Sequence, residues 1–303
     1  MSSQKAILVA GSTGNQGGGV VRHCLARGFR VVALVRDTTS ATALHLAGLG
    51  AELAQGTFDD RESLRLAMKD VDTVFFLEVK TADRAADLQR AKNIVEVASA
   101  SPNVTMMIVS TASKTGQHES FPRWGRDYPM YDYWIQKQAI ENLVRDAGFR
   151  HWTIIRPAHF LQNLLPPVNA ILFPNFAQDL TIRTTFKPET KAAWLDVSDV
   201  GIVAATAMQS PVDFTGREIE LATEALTIEE LAGRLSGALG SKVKVHFYSD
   251  KEIAEEAHPA AVVAQTWANE VPGQDAAEAS KEFDMTPIDD FLSRHKSEIL
   301  QKP

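Results

Sequence analysis

Near its start the chain runs Ala6-Ile7-Leu8-Val9-Ala10 and then breaks into Gly11-Ser12-Thr13-Gly14-Asn15-Gln16-Gly17. Five apolar residues without alternation mark a strand buried on both faces, and such strands belong to parallel sheets covered by helices. In the spacing Gly-x-x-Gly-x-x-Gly each glycine has its own role. One makes a tight turn, one lets the backbone approach a pyrophosphate, and one lets helix pack closely on strand. A helical pattern follows at once through Val20, Val21 and Leu25, with Gly28 at its stop. The N–H groups at the start of such a helix, together with its dipole, favour an anion. A glycine run of this kind also occurs in turns that bind nothing, so its meaning depends on the strands that follow.

The same unit recurs along the chain. Apolar runs at 30–35, 51–55, 71–77, 104–109 and 151–155 alternate with helical patterns at 40–49, 83–100 and 131–147, and with one capped by Asp59 or Asp60. That alternation implies parallel βαβ units with right-handed crossovers, an α/β doubly wound sheet with helices on both faces. Ligands of such sheets bind at the carboxyl ends of the strands. The glycine loop, Arg36, Thr57 and Phe58 after Gly56, Leu77, Ser110 and Pro157 all fall there. After Pro157 the pattern loosens. The stretch 194–201 reads as a short strand and then a capped helix running through Ile202 to Met208, strands follow at 218–221 and 243–247, a capping box stands at Thr227-Ile228-Glu229-Glu230, and the tail is mostly helical. The expected division is a dinucleotide-binding domain over 1–157 and a smaller α+β lobe over 158–303, some of whose segments return to the main sheet.

The 303 residues are 45% hydrophobic and 23% charged, an ordinary globular balance. A net charge of −7 argues against nucleic acid as a main partner, because phosphate binding needs a concentrated basic face. The single cysteine, Cys24, allows no intrachain disulfide and sits in the first helical pattern as a small packed residue. Met1-Ser2-Ser3-Gln4-Lys5 leads straight into the first strand, and no apolar run is long enough to span a bilayer. The expected location is cytoplasmic, with no membrane partner. His118, His159 and His246 show no metal-ligand spacing with one another or with Cys24, so no metal is expected. His118 reads as loop surface and His246 as strand surface. His159 follows the sixth strand and is either a proton donor or a contact residue.

Arg36 ends the second strand, where dinucleotide folds place an acidic residue for a ribose 2′-OH or an arginine for a 2′-phosphate. Guanidinium suits phosphate, so NADP(H) is expected over NAD(H), unless the adjacent Asp37 points inward. Tyr133 and Lys137 stand one helical turn apart between the fifth and sixth strands. A nearby ammonium stabilises phenolate and lowers the tyrosine pKa, and a tyrosine so tuned can protonate a carbonyl oxygen during hydride transfer. Arg123, Trp124, Arg126 and Tyr128 lie on a long loop that either holds an acidic or aromatic substrate or is simply solvated. Pro259, Trp267 and Pro272 are candidates for a lid.

Together these motifs resemble the NmrA-like branch of the atypical short-chain dehydrogenases/reductases. The resemblance rests on the glycine loop, Leu34-Val35-Arg36-Asp37, Lys137, and the run Arg156-Pro157-Ala158-His159-Phe160-Leu161-Gln162-Asn163. Asp196-Val197-Ser198-Asp199-Val200-Gly201 and Leu226-Thr227-Ile228-Glu229-Glu230-Leu231 complete it. The resemblance implies a Rossmann-like NAD(P)-binding domain. In it Gly11, Ser12, Thr13, Gly14, Asn15, Gln16 and Gly17 hold the pyrophosphate, Arg36 the 2′-phosphate and Lys137 the nicotinamide ribose. Pro157, His159 and Phe160 line the nicotinamide. Three features depart from or bear on the pattern. Thr57 replaces the usual aspartate. Tyr133, which many members lack, is present. Ala112 stands where extended reductases carry serine, leaving Ser110, Thr111 or Ser113 as the assisting hydroxyl. The expected function is NADPH-dependent reduction of a small carbonyl or conjugated metabolite. The alternatives are an NADP(H)-sensing regulatory protein with a protein partner, and an isomerase or cyclase with structural NADP. An oligomer is compatible with each.

Overall fold

The computed structural model describes residues 4–78, 81–255, 257–271 and 277–301. In chain order its first elements are β1 (Ala6–Ala10), α1 (Asn15–Ala26), β2 (Arg30–Val35), α2 (Ala41–Gly48), β3 (Glu52–Gln55), α3 (Arg61–Ala67), β4 (Thr73–Leu77) and α4 (Arg84–Ala100). Then come β5 (Met106–Ser110), α5 (Tyr131–Asp146), β6 (His151–Pro157), β7 (His159–Phe160), α6 (Asn169–Leu172), α7 (Phe176–Asp179), β8 (Thr181–Thr184) and β9 (Ala192–Leu195). The remainder is α8 (Asp199–Gln209), α9 (Pro211–Phe214), β10 (Arg217–Leu221), β11 (Glu224–Leu226), α10 (Ile228–Leu239), β12 (Lys244–Phe247), α11 (Asp250–Glu255), α12 (Pro259–Glu270), α13 (Ala277–Glu282), α14 (Ile288–Arg294) and α15 (Lys296–Ile299).

Seven strands form the main sheet in the order β10-β6-β5-β4-β1-β2-β3, and β1 to β6 pair in parallel. The order reverses between β1 and β4, so the crevice that favours ligands opens at the carboxyl ends of those two strands. All five residues of β1 are buried, as a strand covered on both faces must be. Leu8 and Ala10 point into a core with Leu64, Ile94, Val95, Met107, Ile140 and Ile154, which α3, α4 and α5 help to build. The opposite face is covered by α1 and α8, whose contact is glycine on glycine. A Cβ at Gly201 would lie 2.4 Å from the carbonyl oxygen of Gly19, and one at Gly19 would lie 2.9 Å from Cα of Ser198. A capped helix was expected here, and Ser198 stands at the N-cap of α8 but makes no capping hydrogen bond. Its hydroxyl instead accepts from the Arg22 guanidinium at 3.4 Å and lies 3.4 Å from His23 Nε2, because α1 presses against this end of α8.

Of the two aspartates expected to cap α3, Asp60 does so, and Ser40 and Asp83 cap α2 and α4 through their side chains. Thr227 and Glu230 form the reciprocal capping box of α10. Cys24 is buried, and burial pushes its thiol up to about 12, consistent with a packing role.

The chain forms two compact units. The first comprises Met1–Gly116, Asp132–Pro157 and Val197–Ile219, and the second Gln117–Tyr131, Ala158–Asp196 and Glu220–Pro303. The first thus takes back α8, α9 and most of β10 from beyond Pro157. The second contains the sheet β11-β9-β7 and the parallel pair β12-β8. Leu161, Phe176, Ile182, Trp194, Leu231, Leu235 and Phe291 are among the residues of its core. Among the described residues, no helix is long and apolar enough to cross a membrane.

Candidate functional site

The glycine loop is built as its spacing implies. Gly11 has φ +84°, and the Gly14 amide donates to the Gly11 carbonyl at 3.1 Å, closing the turn. A Cβ at Gly17 would sit 2.2 Å from that same carbonyl oxygen, so only glycine lets α1 begin this close to the end of β1. Gly14 is the N-cap of α1 and offers no side-chain acceptor, and no acidic residue stands in the first turn. The leading amides of a twelve-residue helix therefore keep their partial positive charge for an anion. Thr13, Gly14 and Asn15 are exposed here. Ser12 is not: it is fully buried and its hydroxyl donates to the Leu34 carbonyl at 2.9 Å, tying the loop to β2. Gln16 Oε1 accepts from the Ser110 hydroxyl at 2.7 Å, joining the start of α1 to the end of β5. Leu77, at the end of β4, packs over Gly11.

Beside the loop lies a groove of about 340 Å³ lined by Gly11, Thr13, Arg36, Gly56, Thr57, Phe58, Asp59, Thr81 and Arg90 among others. Arg36 is exposed on its wall. Asp37 is not a lining residue: its carboxylate accepts from the Thr39 amide at 2.8 Å and the Thr39 hydroxyl at 2.6 Å, bonds that hold its pKa below the usual carboxylate value. Thr57 carries its hydroxyl toward the Asp60 amide at 3.2 Å, a local turn. Arg90 escaped the sequence reading, and Asp59 entered it only as an alternative to Asp60 for the cap of α3. Arg90 bonds Asp59 and the buried Asp87, while Asp87 also accepts from the Thr81 amide and hydroxyl. The signal available was the i,i+3 spacing of Asp87 and Arg90 on a long helix.

The second cluster lies on α5 and at the end of β4. Lys137 is buried, with Nζ 2.7 Å from a carboxylate oxygen of Glu78 and 5.5 Å from the centre of the Tyr133 ring. The other oxygen of Glu78 accepts from Gln136 Nε2 at 2.5 Å. The expected lowering of the Tyr133 pKa is corrected here: burial raises it, the Lys137 ammonium opposes the rise, and the Glu78 carboxylate adds to it. Sequence reasoning stopped at Leu77 and missed Glu78. Its signal was an acidic residue directly after an apolar strand at the switch point. In the polar cluster after β5, the Thr111 hydroxyl donates to Glu141 at 2.7 Å and the Ser113 amide donates to the Pro157 carbonyl at 3.0 Å. Ser110, Thr111 and Ser113 are all buried.

The remaining candidates belong to the second unit. His159 and Phe160 form β7, paired with Trp194 and Leu195. The His159 ring lies among Trp194, Phe186 and Trp267, at centroid distances of 5.4, 6.1 and 6.4 Å. Burial pulls its pKa down to about 4, so the ring is neutral at neutral pH. It therefore does not act there as an imidazolium acid. His118 was expected on the surface and is instead buried, its ring centre 4.6 Å from that of Trp124. The reason is that the loop builds its own aromatic core from Phe121, Trp124, Tyr128 and Tyr131, with Trp267 against Phe121. The loop's aromatic residues are thus packed together, while Arg123 and Arg126 stay exposed and Arg123 pairs with Glu270. His246 is an exposed strand residue paired with Glu252. Pro259 opens α12, on which Trp267 lies, and Pro272 lies outside the described residues. Among the described residues, no three His, Cys, Asp or Glu side chains are placed to hold a metal ion.

A parallel sheet of this order, with a glycine-rich turn and helix N-terminus at its switch point, defines the Rossmann-type class. Within that class the chain belongs to the NmrA-like family, whose model matches residues 3–303. The NAD(P)H azoreductase of Xenophilus azovorans is 29% identical over 241 residues, covering 78% of this chain and 75% of that protein. Two solved structures share the fold. NmrA, a negative transcriptional regulator in complex with NADP, has a TM-score of 0.76 at 19% identity, covering 96% of this chain and 95% of that one. The Citrobacter sp. triphenylmethane reductase complexed with NADP(H) has a TM-score of 0.75 at 18% identity, covering 97% and 100%.

Proposed function

We propose that the protein is an NADPH-dependent reductase of a small carbonyl or conjugated metabolite. The observation that carries this reading is Tyr133 held above Lys137 on α5, in the same unit as the glycine loop and the Arg36 groove. The fit of a dinucleotide rests on two features. The cradle at Gly17 would be filled by any Cβ, and the groove has Arg36 on its wall while the next residue, Asp37, turns its carboxylate into its own loop and the lining Asp59 is held by Arg90. The first amides of α1 would hold the pyrophosphate, Arg36 the 2′-phosphate and Lys137 the nicotinamide ribose. The reduced nicotinamide supplies a hydride when bound. Tyr133 gives its phenolic proton to the substrate oxygen, the O–H bond breaking as the new one forms. With its pKa raised by burial, Tyr133 carries its proton at neutral pH, and the Lys137 ammonium opposes that rise in the direction that favours proton donation. Azoreductase, the activity in the name of the Xenophilus azovorans relative, is likewise a reduction and supports the reaction class.

The test follows NADPH absorbance with a panel of carbonyl, conjugated and azo substrates, and then repeats the best of them with Tyr133→Phe. The expected loss in kcat is about 10²- to 10⁴-fold with NADPH binding unchanged. Unchanged turnover in Tyr133→Phe removes Tyr133 from the mechanism.

One observation favours a second reading, a sensor of the NADPH/NADP ratio without turnover. Ala112 stands where a reductase serine is expected, and the hydroxyl of Ser110 is already given to Gln16. A protein partner retained in a pull-down and released when that ratio changes, with no substrate reduced in the panel, favours the sensor.

A further inference from the structure

We infer that Glu78 is the positioning residue of the Tyr133–Lys137 pair: its carboxylate grips two consecutive side chains of α5 and keeps the Lys137 charge from being spent on Tyr133. This rests on the reductase reading for its purpose, but its geometry stands apart from it. Glu78 follows β4 at the switch point and faces α5. One oxygen lies 2.7 Å from Lys137 Nζ, and the other accepts from Gln136 Nε2 at 2.5 Å. The Glu78 and Lys137 side chains are only 5% and 11% exposed, so water does little to screen the pair. A carboxylate bonded through both oxygens has little freedom to turn away, and the ammonium it holds sits 5.5 Å from the Tyr133 ring centre.

The electrostatic consequence follows from the signs. An unopposed ammonium beside a phenol favours phenolate and makes the phenol more acidic. A carboxylate at hydrogen-bond distance from that ammonium offsets part of its field at Tyr133, a repulsion smaller than the attraction it opposes. Charged groups acting on Tyr133 include Lys137 from its own helix and Glu78 from the end of β4. Glu78 therefore keeps Tyr133 in its proton-bearing form to higher pH. It also holds Lys137 at one defined position beneath the ring.

The experiment titrates Tyr133 directly in the ligand-free full-length protein. Tyrosinate absorbance is recorded against pH for the wild type and for Glu78→Gln, each minus the matching curve with Tyr133→Phe, so that the other three tyrosines cancel. Glu78→Gln keeps the shape and a bond to Gln136 but loses the charge. The expected result is a fall of the Tyr133 midpoint by about one pH unit or more. Glu78→Asp, which keeps the charge but shortens the reach, should fall in between. Lys137→Met should move the midpoint the other way. If Glu78→Gln retains its melting temperature and the Tyr133 midpoint stays within error of the wild type, the inference is overturned. If Glu78→Gln does not fold, the Glu78→Asp and Lys137→Met curves decide it by the same criterion. Where turnover is found, the limb of its pH profile assigned to Tyr133 should shift with the same midpoint. A midpoint that shifts in a protein without turnover keeps this inference and overturns the reductase reading instead.

Discussion

Arg156 and Glu141 face each other inside the first unit as a two-bond pair, Nε to Oε1 at 2.9 Å and Nη2 to Oε2 at 2.7 Å. Glu141 is fully buried on α5 and Arg156 nearly so at the end of β6. Arg145 and Glu218 extend the network toward the surface, and the Thr111 hydroxyl completes it. The pair fixes α5, which carries Tyr133 and Lys137, against the carboxyl end of the sheet.

Removing Arg156 takes the two-bond partner from the buried Glu141 and leaves it the single ion pair with Arg145. Arg156→Met is expected to cost about 3 kcal/mol or more, whereas Arg156→Met with Glu141→Met should recover a large part of that loss. Chemical denaturation of the four proteins of the cycle measures it. Additive losses would show that the pair is not coupled.

Arg36 is expected to set cofactor preference. Arg36→Ala should weaken NADPH binding by about 10- to 100-fold, the worth of a charged hydrogen bond, and leave NADH nearly unchanged. Asp37→Asn should change neither by much, since that carboxylate is engaged with Thr39. Dissociation constants from cofactor fluorescence decide both.

Two glycines in helices should respond in opposite directions to the same substitution. A Cβ at Gly201 would press on the Gly19 backbone, so Gly201→Ala should destabilise by roughly 1–3 kcal/mol. A Cβ at Gly233 on α10 meets nothing within 4 Å, so Gly233→Ala should stabilise by about 0.5–1 kcal/mol. Thermal melts of the two variants test the contrast.

The buried ring of His159 predicts a pH dependence of stability. Its folded pKa of about 4 lies below the ordinary value of 6.5, so between those values the unfolded chain binds the extra proton. The contribution is complete above the unfolded pKa and is lost as pH falls through that window, by about 1.4 kcal/mol per pH unit. The fall in melting temperature between about pH 7 and about pH 5.5 should be smaller in His159→Phe than in the wild type. Equal falls would place the titration elsewhere.

The parallel sheet, its crevice and the glycine cradle were legible in the sequence, because each depends on local order. Continuous apolar runs report burial on both faces, and glycine spacing reports where the backbone turns and closes on itself. The caps at Asp60 and Thr227 are local too, and the structure has them. The helix after 194–201 also carried a cap signal, but Ser198 at its N-cap makes no capping hydrogen bond where α1 crosses α8 glycine on glycine. His118 looked like loop surface because nothing nearby in sequence says that a loop will bury its own aromatics. What only the tertiary structure decided is which charges meet: Lys137 with Glu78, Arg90 with Asp59, Arg156 with Glu141. Such pairings join elements 15 to 59 residues apart, and periodicity carries no information about them. The two buried pairs, Lys137 with Glu78 and Arg156 with Glu141, form because a charge taken out of water needs a partner, and the nearest partner is set by the packing of sheet and helix rather than by the order of the chain.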